Sequence, residues 1–232
     1  MPSCWPQVTF INILFSTIYS KPHYWKKFNF KKNLFNIFLG HSAIYEHYRS
    51  DCKWLSIPPG LKTYYSQDLF GSSSLPAKLY VVFFDQDRLN GHYEKSIQKY
   101  ERPSGLKYCS IELDGRPVGD YGSFVNDYDA GLLNFQYLQI FHQTQSYYKP
   151  GANVPNISLD SFKERHFILC YDLTASGYCT ENMFPLIKTG SLRLHMEFST
   201  AQTKSLSCLV LSTSPATLTI DNNRMVALSF RT

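Results

Sequence analysis

Charged side chains are scarce in this 232-residue chain: only 18% are Asp, Glu, Lys or Arg, against 16% aromatic. A solvated helical bundle needs a polar, mostly charged face on each helix, and this composition does not supply one. Seventeen Tyr and seventeen Phe favour strands instead. Catalytic signatures are missing as well. There is no G-x-S-x-G elbow, no phosphate-binding loop, no H-E-x-x-H and no dinucleotide glycine fingerprint, which removes the usual sequence grounds for an enzyme. No cofactor is implied. The six cysteines (Cys4, Cys52, Cys109, Cys170, Cys179, Cys208) contain no C-x-x-C pair. A disulfide framework is improbable at this length, so a reduced interior is the default. The seven histidines (His23, His41, His47, His92, His142, His166, His195) never fall at metal-ligand spacing, so no metal site is expected. The apolar run Val8 to Tyr19 is too short to cross a bilayer as a helix, which takes about 20 residues. No Lys or Arg precedes it and no small-x-small site follows, so a strand or a leader artefact fits better than a signal peptide. Repeats and low-complexity tracts are absent.

What the chain does have is alternation. In the C-terminal quarter Leu192, Leu194, Met196 and Phe198 share one face of an extended segment, with Arg193, His195 and Glu197 on the other. Leu206, Cys208 and Val210 repeat the pattern, then Leu218 and Ile220, then Val226, Leu228 and Phe230. Four successive strands are expected, and their sheet needs a second layer to bury its apolar face.

Earlier segments can supply that layer. Residues 53–57 (KWLSI) read as a short strand stopped by Pro58-Pro59-Gly60. Residues 78–84 (KLYVVFF) are apolar without alternation, which predicts a central strand covered on both faces. Residues 106–113 alternate, and Asp114-Gly115 is a two-residue hairpin signal with Arg116-Pro117-Val118 as the return. One helix is predicted between Phe124 and Phe141, with Phe124, Tyr128, Leu132, Phe135 and Leu138 or Gln139 on its stripe. Residues 166–174 (HFILCYDLT) return to strand. Residues 85–105 and 142–165 are polar and read as long exposed connections. The expected fold is all-β, an antiparallel jelly-roll sandwich with one inserted helix at about 124–141 and long loops. The domain is expected over 41–232, with 1–40 as an arm.

The charge is unevenly placed. Residues 1–53 hold seven Lys or Arg against Glu46 and Asp51, so the whole formal surplus of +5 lies there and the rest is neutral. Lys26, Lys27, Lys31 and Lys32 interleave with aromatics, a pattern that can bind single-stranded nucleic acid by stacking and phosphate neutralisation; a flexible arm whose aromatics pack on a neighbour is the commoner explanation. Asp85 and Asp87 follow the buried strand and can share general acid/base work, although a charged loop exit is the commoner explanation. Asn156-Ile157-Ser158 matches a glycosylation acceptor, relevant only in a secreted protein. A jelly-roll module that binds carbohydrate or protein without catalysis is the alternative class.

Three ordered motifs add a resemblance. They are YDLTASG at 171–177, G-S-L-R-L-x-x-x-F-x-x-A at 190–201 and I-D-x-x-R-x-V at 220–226. With SLPAKLYVVFF, CSIELDGRPV and NISLDSF before them, they resemble the C-terminal, second jelly roll of the double jelly-roll major capsid proteins of Polinton/Maverick elements and adintovirus-like viruses. The resemblance runs through about residues 41–230. Its signature positions here are Asp172, Leu173, Thr174, Gly177, Gly190, Leu192, Arg193, Leu194, Phe198, Ala201, Ile220, Asp221, Arg224 and Val226.

The resemblance implies a virion shell protein, or an endogenised fragment of one, made inside the host cell. It implies partners of the same kind: copies of itself or a full-length capsid protein in a homotrimer, with minor capsid proteins. No small-molecule substrate and no membrane partner are implied, and nucleic acid only weakly through the basic arm. It also implies that 85–105 and 142–165 are exposed connections forming tower or inter-subunit contacts, and that removing 88–104 leaves the monomer folded but impairs oligomerisation. The family's first jelly roll has no counterpart in this chain.

Overall fold

The computed structural model describes residues 42–71, 75–91, 99–100, 102–118, 128, 133–143, 156–174, 189–221 and 225–230. Among the described residues eight strands, each numbered in chain order, make two sheets. The first contains β1 (Ala43–Ile57), β8 (Leu206–Ile220), β3 (Lys78–Asp85) and β6 (Ile168–Asp172), in that order. The second contains β2 (Thr63–Tyr65), β7 (Leu192–Phe198), β4 (Leu106–Leu113) and β5 (Arg116–Pro117). A ninth strand, β9 (Val226–Phe230), pairs with the far half of β8.

The wiring follows one rule. β1 pairs antiparallel with β8, β2 with β7, β3 with β6 and β4 with β5. Each strand lies beside the one equally distant from the other end of the series. A long antiparallel ribbon folded over on itself produces those pairings, and the two sheets result from the fold. This is a jelly roll.

The core lies between the sheets. Leu79, Val81 and Phe83 from β3, Cys208 and Val210 from β8, and Leu55 and Ile57 from β1 alternate onto one face. Cys109 and Ile111 of β4 and Leu192, Leu194 and Met196 of β7 belong to the same buried cluster. Tyr171 of β6 donates its hydroxyl across the gap to the Cys109 carbonyl at 2.9 Å. β3 is central as expected, buried along its length up to Asp85, with Trp54, Phe84 and Tyr100 packed in sequence on its other face.

Several expectations need correction. β1 runs for 15 residues rather than the five of KWLSI. Leu206 to Ile220 is one strand, not two. Pro215 does not break it because it falls between the last β3 partner, at Thr213, and the first β9 partner, at Ala216, where that side of the ladder is open. The hairpin at Asp114-Gly115 is present, with φ of 51° and 77°, the positive pair that a type I′ turn requires.

The predicted helix starts later. Within 124–141, residues 124–127 and 129–132 lie outside the described residues; α2 covers Asn134–Gln143. Tyr128 is buried, and its backbone N–H bonds the Lys107 carbonyl at 3.1 Å, so it extends the edge of β4 instead of turning a helix. Of the two alternatives for the end of the stripe, Gln139 is buried and Leu138 is exposed, and Leu133, Gln136 and Ile140 are buried with Gln139.

Neither polar connection is merely a loop. Gln86–Leu89 forms the short helix α1, capped by the Asp85 carboxylate, and Leu159–Glu164 forms α3, capped by the Ser158 hydroxyl. Arg88 and Tyr100 are buried, and Tyr100 exchanges backbone hydrogen bonds with Arg165 (2.7 Å) and Phe167 (3.0 Å). Removing 88–104 would therefore take a core tyrosine with it, and the expectation that the monomer tolerates that deletion is withdrawn.

Candidate functional site

Three places can be asked what they do: the signature positions, the histidine on the second sheet, and the far end of the β1–β8–β9 ribbon.

The described signature residues are builders of turns and core. Asp172 closes β6 by accepting from the Thr174 N–H at 2.8 Å and the Thr174 hydroxyl at 2.6 Å. Leu173 is buried and donates its N–H to Ala77. Gly190 passes so close to the β4–β5 turn that a β-carbon there would lie 2.6 Å from Leu113 Cδ1. Leu192, Leu194 and Phe198 are buried in the core, and Arg193 is exposed on the outer face. Ala201 is half-buried in the turn after β7, and Ile220 ends β8. Asp221 sets the β8–β9 connection, accepting from the Met225 N–H at 2.7 Å and donating its own N–H back at 3.0 Å. Val226 begins β9 and is exposed. Gly177, Arg224 and the arm residues Lys26, Lys27, Lys31 and Lys32 lie outside the described residues.

Asp85 and Asp87 are engaged at the strand exit. Asp85 accepts from the Asp87 N–H to cap α1, and the Asp87 carboxylate is 4.0 Å from the Lys204 amine. Among the described residues, no three His, Cys, Asp or Glu side chains converge as metal ligands. The cysteines described (Cys52, Cys109, Cys170, Cys208) are all free. Burial pushes the Cys109 and Cys170 thiols up to about 12 and the Cys208 thiol well above its ordinary value. None of the three carries thiolate character that would serve a nucleophile.

His195 is a less ordinary residue than its strand pattern suggests. It is buried on the outer face of the second sheet, sandwiched by aromatics: Tyr65 stacks on it at 4.2 Å between ring centroids and Tyr108 meets it edge-on at 5.5 Å. Its Nδ1 is 3.2 Å from Glu112, and its Nε2 is 3.5 Å from Glu197 without a hydrogen bond. The two carboxylates approach opposite ring nitrogens, so they cannot share one ion with this imidazole. The register explains the assembly, since Tyr65, His195 and Ser110 are directly opposed on β2, β7 and β4. Alternation predicted the face but not the neighbours.

The ribbon end is apolar and open. Ile44 is 59% exposed, Met225 68%, Val226 62% and Leu228 50%. Register places Val226 beside Ile220 and Ala43, and Leu228 beside Leu218 and Tyr45, on one face of three strands. Ile44 lies on the opposite face. On that face Val226 and Leu228 of β9 are open, Ile220, Leu218 and Tyr45 are half-buried and Ala43 is buried, so the exposed apolar surface is the β9 edge with the half-buried β8 and β1 residues beside it; an apolar edge of this kind is a candidate interaction surface.

No protein-family model and no curated protein matches the chain. Solved structures do. A chain in the cryo-EM structure of the Sputnik virophage matches 81% of this chain with 38% of its own length, at 13% identity and a TM-score of 0.47. The mavirus major capsid protein matches 82% with 41% of its own length, at 8% identity and 0.42. The PBCV-1 virus capsid matches 82% with 52% of its own chain, at 9% identity and 0.43. This chain therefore spans about two fifths to a half of the length of each protein it matches. The strand pairings that define its jelly roll come from its own ladders.

Proposed function

We propose that this chain is a structural subunit of a virion shell, or an endogenised fragment of one, and that it works by packing side by side with further copies into trimeric capsomers. The observation that carries this reading is the open apolar edge at the end of the ribbon, where Met225, Val226 and Leu228 on the β9 side remain in solvent. β9 adds an edge of Val, Ala, Leu, Ser and Phe with no charged or proline residue to discourage pairing, and an edge of that kind recruits another strand. The near-neutral balance of residues 54–232 is compatible with close side-by-side packing, which a large like charge would oppose. The signature motifs support the same reading, because Asp172, Gly190 and Asp221 each hold a turn of the jelly roll. Subunit packing requires no reacting group, so the proposal assigns no catalytic residue. Sedimentation velocity over a range of concentrations tests it: the full chain should pass reversibly from monomer to larger species.

The attribution to Polinton/Maverick-type elements, the position as a second jelly roll and a site of action in the virion are parts of the same proposal. The basic arm is proposed as a weak nucleic-acid contact. Neutralising Lys26, Lys27, Lys31 and Lys32 should then flatten the salt dependence of DNA binding, and an unchanged salt slope refutes that role.

One observation favours the alternative of a binding module. Tyr65 is 57% exposed and lies flat on His195 beside Glu112 and Glu197, an aromatic platform with acceptors around it, as saccharide sites use. Micromolar glycan-array binding abolished by Tyr65→Ala would establish it; no binding across the array removes it.

A further inference from the structure

A small cavity lies where α2 covers the rim of the sandwich between β4 and β6. Its volume is about 20 Å³, and its lining includes Ser110, Gln136, Gln139, Cys109, Ile111 and Cys170. The rim matters because β4 has β7 on one side, while on the other β5 pairs only with Glu112 and Leu113. The Val118 and Tyr128 N–H groups bond the Ile111 and Lys107 carbonyls, and Tyr171 takes the Cys109 carbonyl. Helix α2 packs against β6 beside this edge, and its Phe135, Gln136 and Gln139 line the cavity together with β4 residues.

Three of the lining residues each carry a buried polar atom with no hydrogen-bond partner among the described residues: Ser110 Oγ, Gln136 Oε1 and Gln139 Oε1. They are not solvated from outside, since Gln136 is 3% exposed and Gln139 and Ser110 are each 8% exposed. Leaving a buried polar group unpaired costs about 1–3 kcal/mol, so three in one cavity call for a common partner. The chemistry of that partner follows from the inventory. The two amide oxygens can only accept, and the serine hydroxyl can donate. A molecule with two donors and one acceptor satisfies all three together.

We infer that the cavity binds one ordered water molecule, which donates to Gln136 Oε1 and Gln139 Oε1 and accepts from Ser110 Oγ. The size agrees, because a buried water needs roughly 10–15 Å³ of such space and two to four polar partners. The spacing of the glutamines also agrees: three residues apart on α2, they share one face of the helix. The water fastens that face to the outer side of β4 and so holds α2 over the strand's open edge, which would otherwise be free to pair with another chain.

The test is a high-resolution crystal structure of the full chain beside the double variant Gln136→Leu/Gln139→Leu. The wild type should show a single peak within about 2.7–3.2 Å of all three oxygens, and the double variant should show none there. Amide exchange along α2 should rise about tenfold in the variant, the factor that loss of one net hydrogen bond gives. A dry cavity in the wild type, or a peak that persists unmoved in the double variant, overturns the site. If the double variant does not fold, Ser110→Ala serves the same purpose: the peak should shift toward the glutamines, and an unmoved peak overturns the site.

Discussion

Asp114 and Ser191 are joined twice. The Asp114 N–H donates to the Ser191 carbonyl at 2.9 Å, and the Ser191 N–H donates to the Asp114 carboxylate at 2.8 Å. Between them the β4–β5 turn is docked onto the entry to β7, residues 77 apart in sequence. Gly190 makes the approach possible, since an added β-carbon would meet Leu113 at 2.6 Å and Asp114 Oδ2 at 2.9 Å. Gly190→Ala should therefore destabilise the fold by about 1–3 kcal/mol, the usual cost of forcing extra volume into a packed place. Denaturant unfolding measures it. An unchanged midpoint would mean that the turn has room to move away.

Tyr100 is the anchor of the segment after α1. Its ring is fully buried and meets Phe84 edge-on at 5.4 Å, and its backbone is bonded on both sides to the stretch after α3. Tyr100→Ala should cost about 3–5 kcal/mol, as removal of a large core aromatic does. A loss under 1 kcal/mol in the same assay would show that 85–105 is the exposed loop its polarity suggests.

That segment shows what was readable in the sequence and what was not. Alternation and apolar runs located β3, β4, β6 and β7 because each strand's burial is imposed on every second residue, or on all of them. Asp114-Gly115 located the hairpin because the turn geometry admits few residue types. Tyr100 was missed because one aromatic among Lys, Glu and Arg carries no period; its burial depends on a bridge to His166, far along the chain. The helix was drawn too early because Tyr128 sits at helical spacing from Leu132 and Phe135 yet spends its N–H on β4. Leu206 to Ile220 reads as two strands because the alternation lapses between Val210 and Leu218, and local pattern cannot show that the ladder beside Pro215 is open and lets the strand run on. The Tyr65–His195–Glu112 group, too, exists only through register across three strands.

Thiol reactivity should sort by burial. The Cys109, Cys170 and Cys208 thiols are buried and held far above neutral pH, whereas Cys52 is half-buried. Among these four, native-state alkylation at neutral pH followed by peptide mass spectrometry should label Cys52 first and the other three only after denaturation. Rapid native labelling of Cys109 or Cys208 would contradict a closed core.

Acid should weaken the fold partly through His166. Burial, and secondarily the nearby Arg165 charge, hold its imidazole below the ordinary value of 6.5. On acidification the unfolded chain takes up a proton before the folded one. Stability from this group is therefore complete above about pH 6.5 and falls as pH drops toward the lowered folded value. His166→Gln should flatten the profile of unfolding midpoint against pH in that window. An identical slope in wild type and variant would assign the acid sensitivity elsewhere.

The account's central claim is that the open ribbon end is where copies of this chain meet. Sedimentation velocity on the full chain and on Val226→Lys/Leu228→Lys tests it most directly. Both positions are exposed, so the charges should leave the thermal midpoint nearly unchanged. The account predicts concentration-dependent association in the wild type and a weakening of at least tenfold in the variant. A wild type that stays monomeric at high micromolar concentration, or a variant that associates just as tightly, would contradict it.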